Sequence, residues 1–283
     1  MTAGVPHVPD DWRVLTAHGP AGFVTHAVLA RPDGTHVEWS SRRHRKCLGL
    51  RPAGARPAGG RASASSCWIG GLFAGGSVCF AVGSVPAFVG AVAASAVATT
   101  FFAGSLLFTT AAYLQLHETL RAPGGVVPGS ARPGRLRSLV GWRPRRIDFR
   151  AVLVQLVGTL LFNVSTFAAT ASDLSTHEER RLVWAPDVGG SVCFLVASWL
   201  AFAEVNRGVL PRSDRSVGWC IAGVNLLGSV AFGAAAVAAR YVDPSGEVAN
   251  VALVNAGTFV GAVCFLVGAV LLPVESARDR SDV

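Results

Sequence analysis

The chain has 283 residues, 51% of them hydrophobic and only 15% charged, with a formal net charge of +8. Soluble domains carry roughly 25% charged residues, so the composition argues against an ordinary soluble domain. The charges collect between apolar runs, and six of those runs reach the roughly 20 residues that a hydrocarbon core about 30 Å thick requires.

Met1 to Ser66 is polar and Arg-rich and has no apolar core of the secretory-signal kind, so the first span is expected to serve as its own targeting element. Residues 1–46 read as a small cytosolic module. In GFVTHAVLARPDGTHVEWS, alternating apolar residues flank the turn signal Pro32-Asp33-Gly34, which predicts a β-hairpin from about Gly22 to Ser41. An isolated hairpin is marginal in water, so it is expected to lean on the membrane or on a neighbouring segment.

The basic run that follows, Arg42, Arg43, His44, Arg45 and Lys46, is read as a topology anchor with Arg42, Arg43, Arg45 and Lys46 against anionic headgroups. Nucleic acid is not expected as a partner, because no helix-turn-helix pattern or zinc spacing accompanies the cluster. Residues 47–66 form a basic Pro/Ala/Gly linker.

Spans are predicted at about 68–88, 97–116, 151–172, 184–204, 217–240 and 250–273, with Pro86 and Pro273 as helix stops. They divide the chain into a first helical hairpin at 67–117, a cytosolic basic loop at 118–150 and a second hairpin at 151–205. A cytosolic loop at 206–216, a third hairpin at 217–273 and a cytosolic tail at 274–283 complete it. The fold class is thus an all-α integral membrane protein of six transmembrane helices plus the β-hairpin module. Of the 25 Lys and Arg residues, 22 fall on one side, so both termini are expected in the cytoplasm and the whole in the cell membrane. The 118–150 loop, rich in Gly, Pro and Arg, reads as a mobile linker held at headgroups by its charge.

A motif, G-[S/T/A]-x-x-F, recurs near the middle of every span. It comprises Gly76, Ser77 and Phe80; Gly104, Ser105 and Phe108; Gly158, Thr159 and Phe162; Gly190, Ser191 and Phe194; Gly228, Ser229 and Phe232; and Gly261, Ala262 and Phe265. Successive glycines within a pair are 28, 32 and 33 residues apart, against 54 and 38 between pairs, so the repeated unit is a two-helix hairpin. Gly and Ser let helix backbones approach closely in lipid, and a Phe one turn along lies on the same face to cover the groove. The belt is therefore read as helix packing, which Gly71 and Gly75 reinforce as a G-x-x-x-G. The alternative is a constriction with hydroxyls lining a path and Phe rings gating it.

On GSVCFAVGS, FFAGSLLF, GSVCFLVAS and VNLLGSVAF the unit resembles the YrhK-like domain, a family of two predicted membrane helices with a G-S-x-x-F signature. The resemblance covers residues 68–273 in triplicate and implies no catalytic or ligand residues. Thr159 and Ala262 depart from its serine.

No span carries an ionisable residue at its centre. Asp187 comes nearest, and with Thr166 at similar depth and Asn163 slightly deeper it forms the candidate ligand site; the simpler reading is a helix cap after Pro186. Gln155, Asn163, Asn225 and Asn255 are expected to set register, and Glu118 to snorkel. Cys79, Cys193 and Cys264 read as packing residues, not metal ligands. Without a nucleophile, P-loop or metal signature, no catalytic residue, metal or cofactor is expected. The predicted role is a non-enzymatic scaffold or sensor, with a small channel or transporter near Asp187 as the alternative. Its partners would be the bilayer and, through the same small-residue faces, further copies of itself.

Overall fold

The computed structural model describes residues 6–54, 60–127, 130–131, 133–206, 208, 216–242 and 247–280. Most of the predicted 206–216 loop lies outside the described residues.

The N-terminal module is an antiparallel sheet of β1 (Arg13–His18), β2 (His26–Ala30), β3 (His36–Ser40) and β4 (Arg51–Pro52), in that order. The expected hairpin is β2–β3, in register from His26 opposite Ser40 to Ala30 opposite His36. Its turn closes where Asp33 accepts from the Thr35 amide (2.9 Å) and hydroxyl (2.6 Å) and Gly34 takes φ +80°. The hairpin is not isolated, because β1 and β4 pair with its two edges. Alternate residues Ala27, Leu29, Val37 and Trp39 point to one buried face.

That face is covered by Val126, from the loop expected to be mobile. The Val126 amide donates to the His7 carbonyl (3.1 Å) and the His7 amide to the Gly124 carbonyl (3.2 Å), so this stretch belongs to the module's core. Two apolar side chains, Val126 and Val127, outweigh the loop's Gly/Pro/Arg composition there.

Helix α1 (Ser41–Arg45) leads from β3. The long helices are α2 (Ala64–Gly83), α4 (Ala94–Leu120), α6 (Ile147–Ala168), α8 (Ala185–Asn206), α9 (Val217–Ala238) and α10 (Val251–Asp279); α3 (Pro86–Ala91), α5 (Arg137–Val140) and α7 (Thr176–Glu178) are short. Among the described residues six helices are long and apolar enough to cross a membrane, the fourth running continuously from Thr176 to Asn206. Each packs on its neighbours in the sequence, and α10 returns to pack on α2, closing a ring. Neighbours within a pair are antiparallel: Ser65 meets Glu118 at one end of α2–α4, and Gly83 meets Phe101 at the other.

Three helix boundaries differ from expectation. Pro86 begins α3 instead of ending the first span; α2 stops at Gly83, where the Ser84 hydroxyl donates to the Phe80 carbonyl (2.7 Å). Pro273 lies inside α10, which continues to Asp279. The Ala269 carbonyl, deprived of its usual donor by Pro273, stands against Gly70 of α2, where a Cβ would come within 2.8 Å of it. Close packing on α2 thus holds the helix through its proline.

The fourth long helix starts nine residues before Ala185, with Ser175 and Glu178 forming a capping box. A π-helical turn, Glu179–Trp184, ends two residues before Pro186. Its wider ladder gives room for a ring that would clash in a regular α-helix. Asp187 is therefore an interior residue and not the cap expected of it.

Candidate functional site

The packing belt is built pair by pair. A Cβ on Gly76 would lie 2.9 Å from the Gly104 carbonyl, one on Gly190 3.1 Å from that of Gly158, and one on Gly261 3.0 Å from that of Gly228. Each glycine also receives a phenylalanine, but from the facing helix and not from its own. Phe108 lies on Gly76, Phe80 on Gly104, Phe194 on Gly158, Phe162 on Gly190, Phe265 on Gly228 and Phe232 on Gly261. Antiparallel pairing causes this exchange, since one turn beyond a glycine is level with the opposite strand of the crossing. Cys79, Cys193 and Cys264 complete the same contacts, against Gly104, Gly158 and Gly228. Gly71 has no neighbour at a built Cβ, and Gly75 meets only Leu107, so the G-x-x-x-G is not a helix seam.

The six phenylalanines meet in the middle. Phe80, Phe162 and Phe232 form one triangle with centroid separations of 5.9–6.3 Å. Phe108, Phe194 and Phe265 form a second, at 5.6–6.3 Å. Rungs at 5.6, 5.2 and 5.7 Å join the triangles within each helix pair. All six rings are buried and belong to one cluster.

The belt hydroxyls face backbone and neighbouring helices. Thr159 donates to the Leu156 carbonyl (2.8 Å) and Ser229 to that of Asn225 (2.9 Å). Ser105 pairs with Thr166 (2.9 Å), and Ser198 with Ser229 (2.8 Å). Ser77 and Ser191 are buried without a hydrogen-bond partner among the described residues, and Ala262 is fully buried. Asn163 accepts from Thr109 (3.2 Å). Asn163 and Thr166 are therefore committed to α4, and no hydrogen bond joins either to Asp187, which is half-buried and unpaired among the described residues.

Below the phenylalanines, all six long helices enclose a cavity of about 120 Å³. Phe73 and Phe265 are in its walls; Gln115, Gln155 and Asn225 supply carboxamides; Glu118, Glu204 and Glu275 stand with Arg42, Arg45 and Lys46 of the α1 segment. None of Asp187, Ser77, Ser105, Thr159, Ser191 and Ser229 lines it.

The three glutamates occupy equivalent places: each lies fourteen residues after the motif glycine of α4, α8 or α10. They receive the basic run that was expected at headgroups. Arg45 reaches Glu118 (3.9 Å) and Glu204 (3.7 Å), Arg42 reaches Glu275 (2.5 Å), and Lys46 bonds Glu275 (2.8 Å) and Asp279 (2.6 Å). Ser41 donates to Glu204 (2.5 Å), and Arg43 to the Asp279 carbonyl (2.6 Å). The side chains of Arg42, Arg45 and Lys46 are 10–19% exposed, so their charges are spent inside the chain.

Burial works against the charge of Arg45, but the surrounding carboxylates of Glu204, Asp148, Glu118 and Glu275 overcome it and raise its pKa. His44, between Trp39 and the Pro123 carbonyl (Nε2 3.0 Å), is pushed down to about 4 by burial and by the neighbouring Arg146. It is neutral and donates to that carbonyl. The glutamate ring was missed in the sequence because each glutamate ends a different helix; the constant offset of fourteen is the signal that would have found it.

No protein-family model matches this chain, and comparison with curated proteins and with solved structures also finds no match.

Proposed function

We propose that this chain is a multi-pass membrane protein whose three helical hairpins lie in the bilayer with both termini cytoplasmic, and that it acts as a scaffold or sensor and not as an enzyme. The observation that carries the reading is the sixfold phenylalanine cluster, which fills the axis where a permeation path would run. The β-sheet module is joined to the inner helix ends through buried ion pairs, so displacement within the bundle would be felt directly in the cytosolic module. The YrhK-like resemblance is in keeping with this reading and remains part of the proposal.

A channel or transporter is the competing reading, and the cavity beneath the rings is what favours it. It would require the two phenylalanine triangles to part. Solute flux into liposomes carrying the parent chain, measured against protein-free liposomes, separates the two. Flux above the protein-free level would overturn the scaffold reading. Labelling from outside intact cells of a cysteine introduced in the first forty residues would overturn the orientation.

A further inference from the structure

With Arg42, Arg43, Arg45 and Lys46 turned inward, the headgroup contact expected of them has to be sought elsewhere. The loop between α4 and α6 offers a different set of residues. Leu136, Val140 and Trp142 are 73–76% exposed, although they lie outside the six long helices. Arg121, Arg135 and Arg137 beside them are exposed and make no ion pair among the described residues. Arg121, Pro133, Arg135 and Ser138 line an open groove of about 330 Å³.

This collar is held at a definite height. Arg143 donates to the carbonyls of Leu120 (2.9 Å) and Ala122 (3.0 Å), at the inner end of α4. Trp142 packs edge-on to Phe149 (5.5 Å), in the first turn of α6. The Ser138 hydroxyl bonds back to the Arg135 carbonyl (2.7 Å) and fixes the α5 turn. The collar thus sits between the end of α4 and the start of α6, two long helices whose middles expose Leu106, Tyr113, Val157 and Leu160. Large apolar side chains interspersed with arginines at that level match the make-up of segments that lie in a membrane interface.

We infer that residues 135–142 form an interfacial anchor in the inner leaflet, with Leu136, Val140 and Trp142 among the upper acyl chains and Arg121, Arg135 and Arg137 binding the phosphate of an anionic phospholipid. The inference rests on the membrane reading above. It names a headgroup site that the basic run at 42–46 does not supply. A protein partner would need a complementary apolar face at the same height; the attachment of the collar to the ends of two long apolar helices favours lipid.

The test uses the full chain reconstituted in phosphatidylcholine vesicles with and without phosphatidylglycerol. The emission of Trp142 is obtained as the difference between the parent and Trp142→Phe. It is expected to be quenched by phospholipid brominated high on the acyl chain, to be shielded from aqueous iodide, and to be quenched more by the brominated lipid when phosphatidylglycerol is present. The triple variant Arg121→Gln, Arg135→Gln, Arg137→Gln should lose the phosphatidylglycerol increment and keep the parent's helix content by circular dichroism.

If iodide and not the brominated lipid quenches Trp142 while the other tryptophans remain lipid-quenched, the anchor falls alone. If the whole tryptophan emission behaves as aqueous, the membrane reading falls with it. An increment retained in the triple variant, or one that inorganic phosphate cancels at matched ionic strength, overturns the assignment to a lipid phosphate.

Discussion

Arg45 Nη1 lies 3.7 Å from Glu204 Oε2, between a helix of the sheet module and the C-terminal end of a helix whose sequence is more than 150 residues away. Glu204 is 4% exposed and also accepts from Ser41. Removing one partner of a buried pair strands the other charge, at about 3–5 kcal/mol. Glu204→Gln is therefore expected to lower stability in detergent by about 3 kcal/mol. Glu118→Gln, at a more exposed carboxylate with a longer contact, should cost clearly less. Denaturation midpoints of the two variants against the parent check the order; equal losses would mean that the ring does not hold the module.

Gly76→Leu should disrupt the α2–α4 contact, because even a Cβ there would approach Phe108 Cδ2 to 2.8 Å and the Gly104 carbonyl to 2.9 Å. Overpacking of this kind costs typically 1–3 kcal/mol, and more where backbone must move. Gly71→Leu, on the same helix at a position where a Cβ meets nothing within 4 Å, is the matched control. The difference between their melting temperatures in detergent is the readout. Ser216 would be a poor control, since it caps α9 by accepting from the Trp219 amide (3.2 Å).

Truncating Phe80 to Ala removes a ring that contacts Phe108, Phe162 and Phe232 at once. A buried Phe→Ala change costs about 3–5 kcal/mol in cavity and lost contacts. Phe80→Ala together with Phe108→Ala is expected to make liposomes leak small ions where the parent does not. A tight double variant would show that the seal lies elsewhere along the axis.

His44 sets a pH dependence. Its folded pKa of about 4 lies below the unfolded value near 6.5, so the unfolded chain binds the proton first. The stability from neutral, buried His44 is complete above about pH 6.5 and declines as pH falls towards 4, by about 3 kcal/mol in total. His44→Gln, which can still donate to the Pro123 carbonyl, should flatten the stability profile between pH 6.5 and 4. An unchanged slope in that variant would assign the acid sensitivity to other groups.

Much of the bundle was legible beforehand. Six long apolar helices, the β2–β3 hairpin and the glycine contacts all follow from local pattern: apolar length, period-two alternation around Pro-Asp-Gly, and small residues at a repeated position. The helix ends were less legible. Pro273 reads as a stop because the backbone bond it forfeits is a local cost, whereas Gly70, which accommodates the orphaned Ala269 carbonyl, sits about 200 residues earlier. Asp187 reads as a cap because it follows a proline. The actual start, the Ser175–Glu178 box, lies upstream of a π-helical turn that composition does not announce.

The destination of charge was the least legible feature. Arg42 to Lys46 and Arg121 to Arg137 are both basic segments near helix ends, and nothing in either stretch says which one faces carboxylates. The amino-acid sequence by itself determined the number of long apolar helices and the small residues on which the helices touch, because each depends on neighbours within a few turns. Only the tertiary structure decided that the phenylalanines meet as one cluster, that three glutamates from three helices receive one short basic helix, and that the α5 collar keeps its arginines exposed. Those relations join side chains brought together by closure of the helix ring, and Coulomb attraction and close packing act through space without regard to chain order.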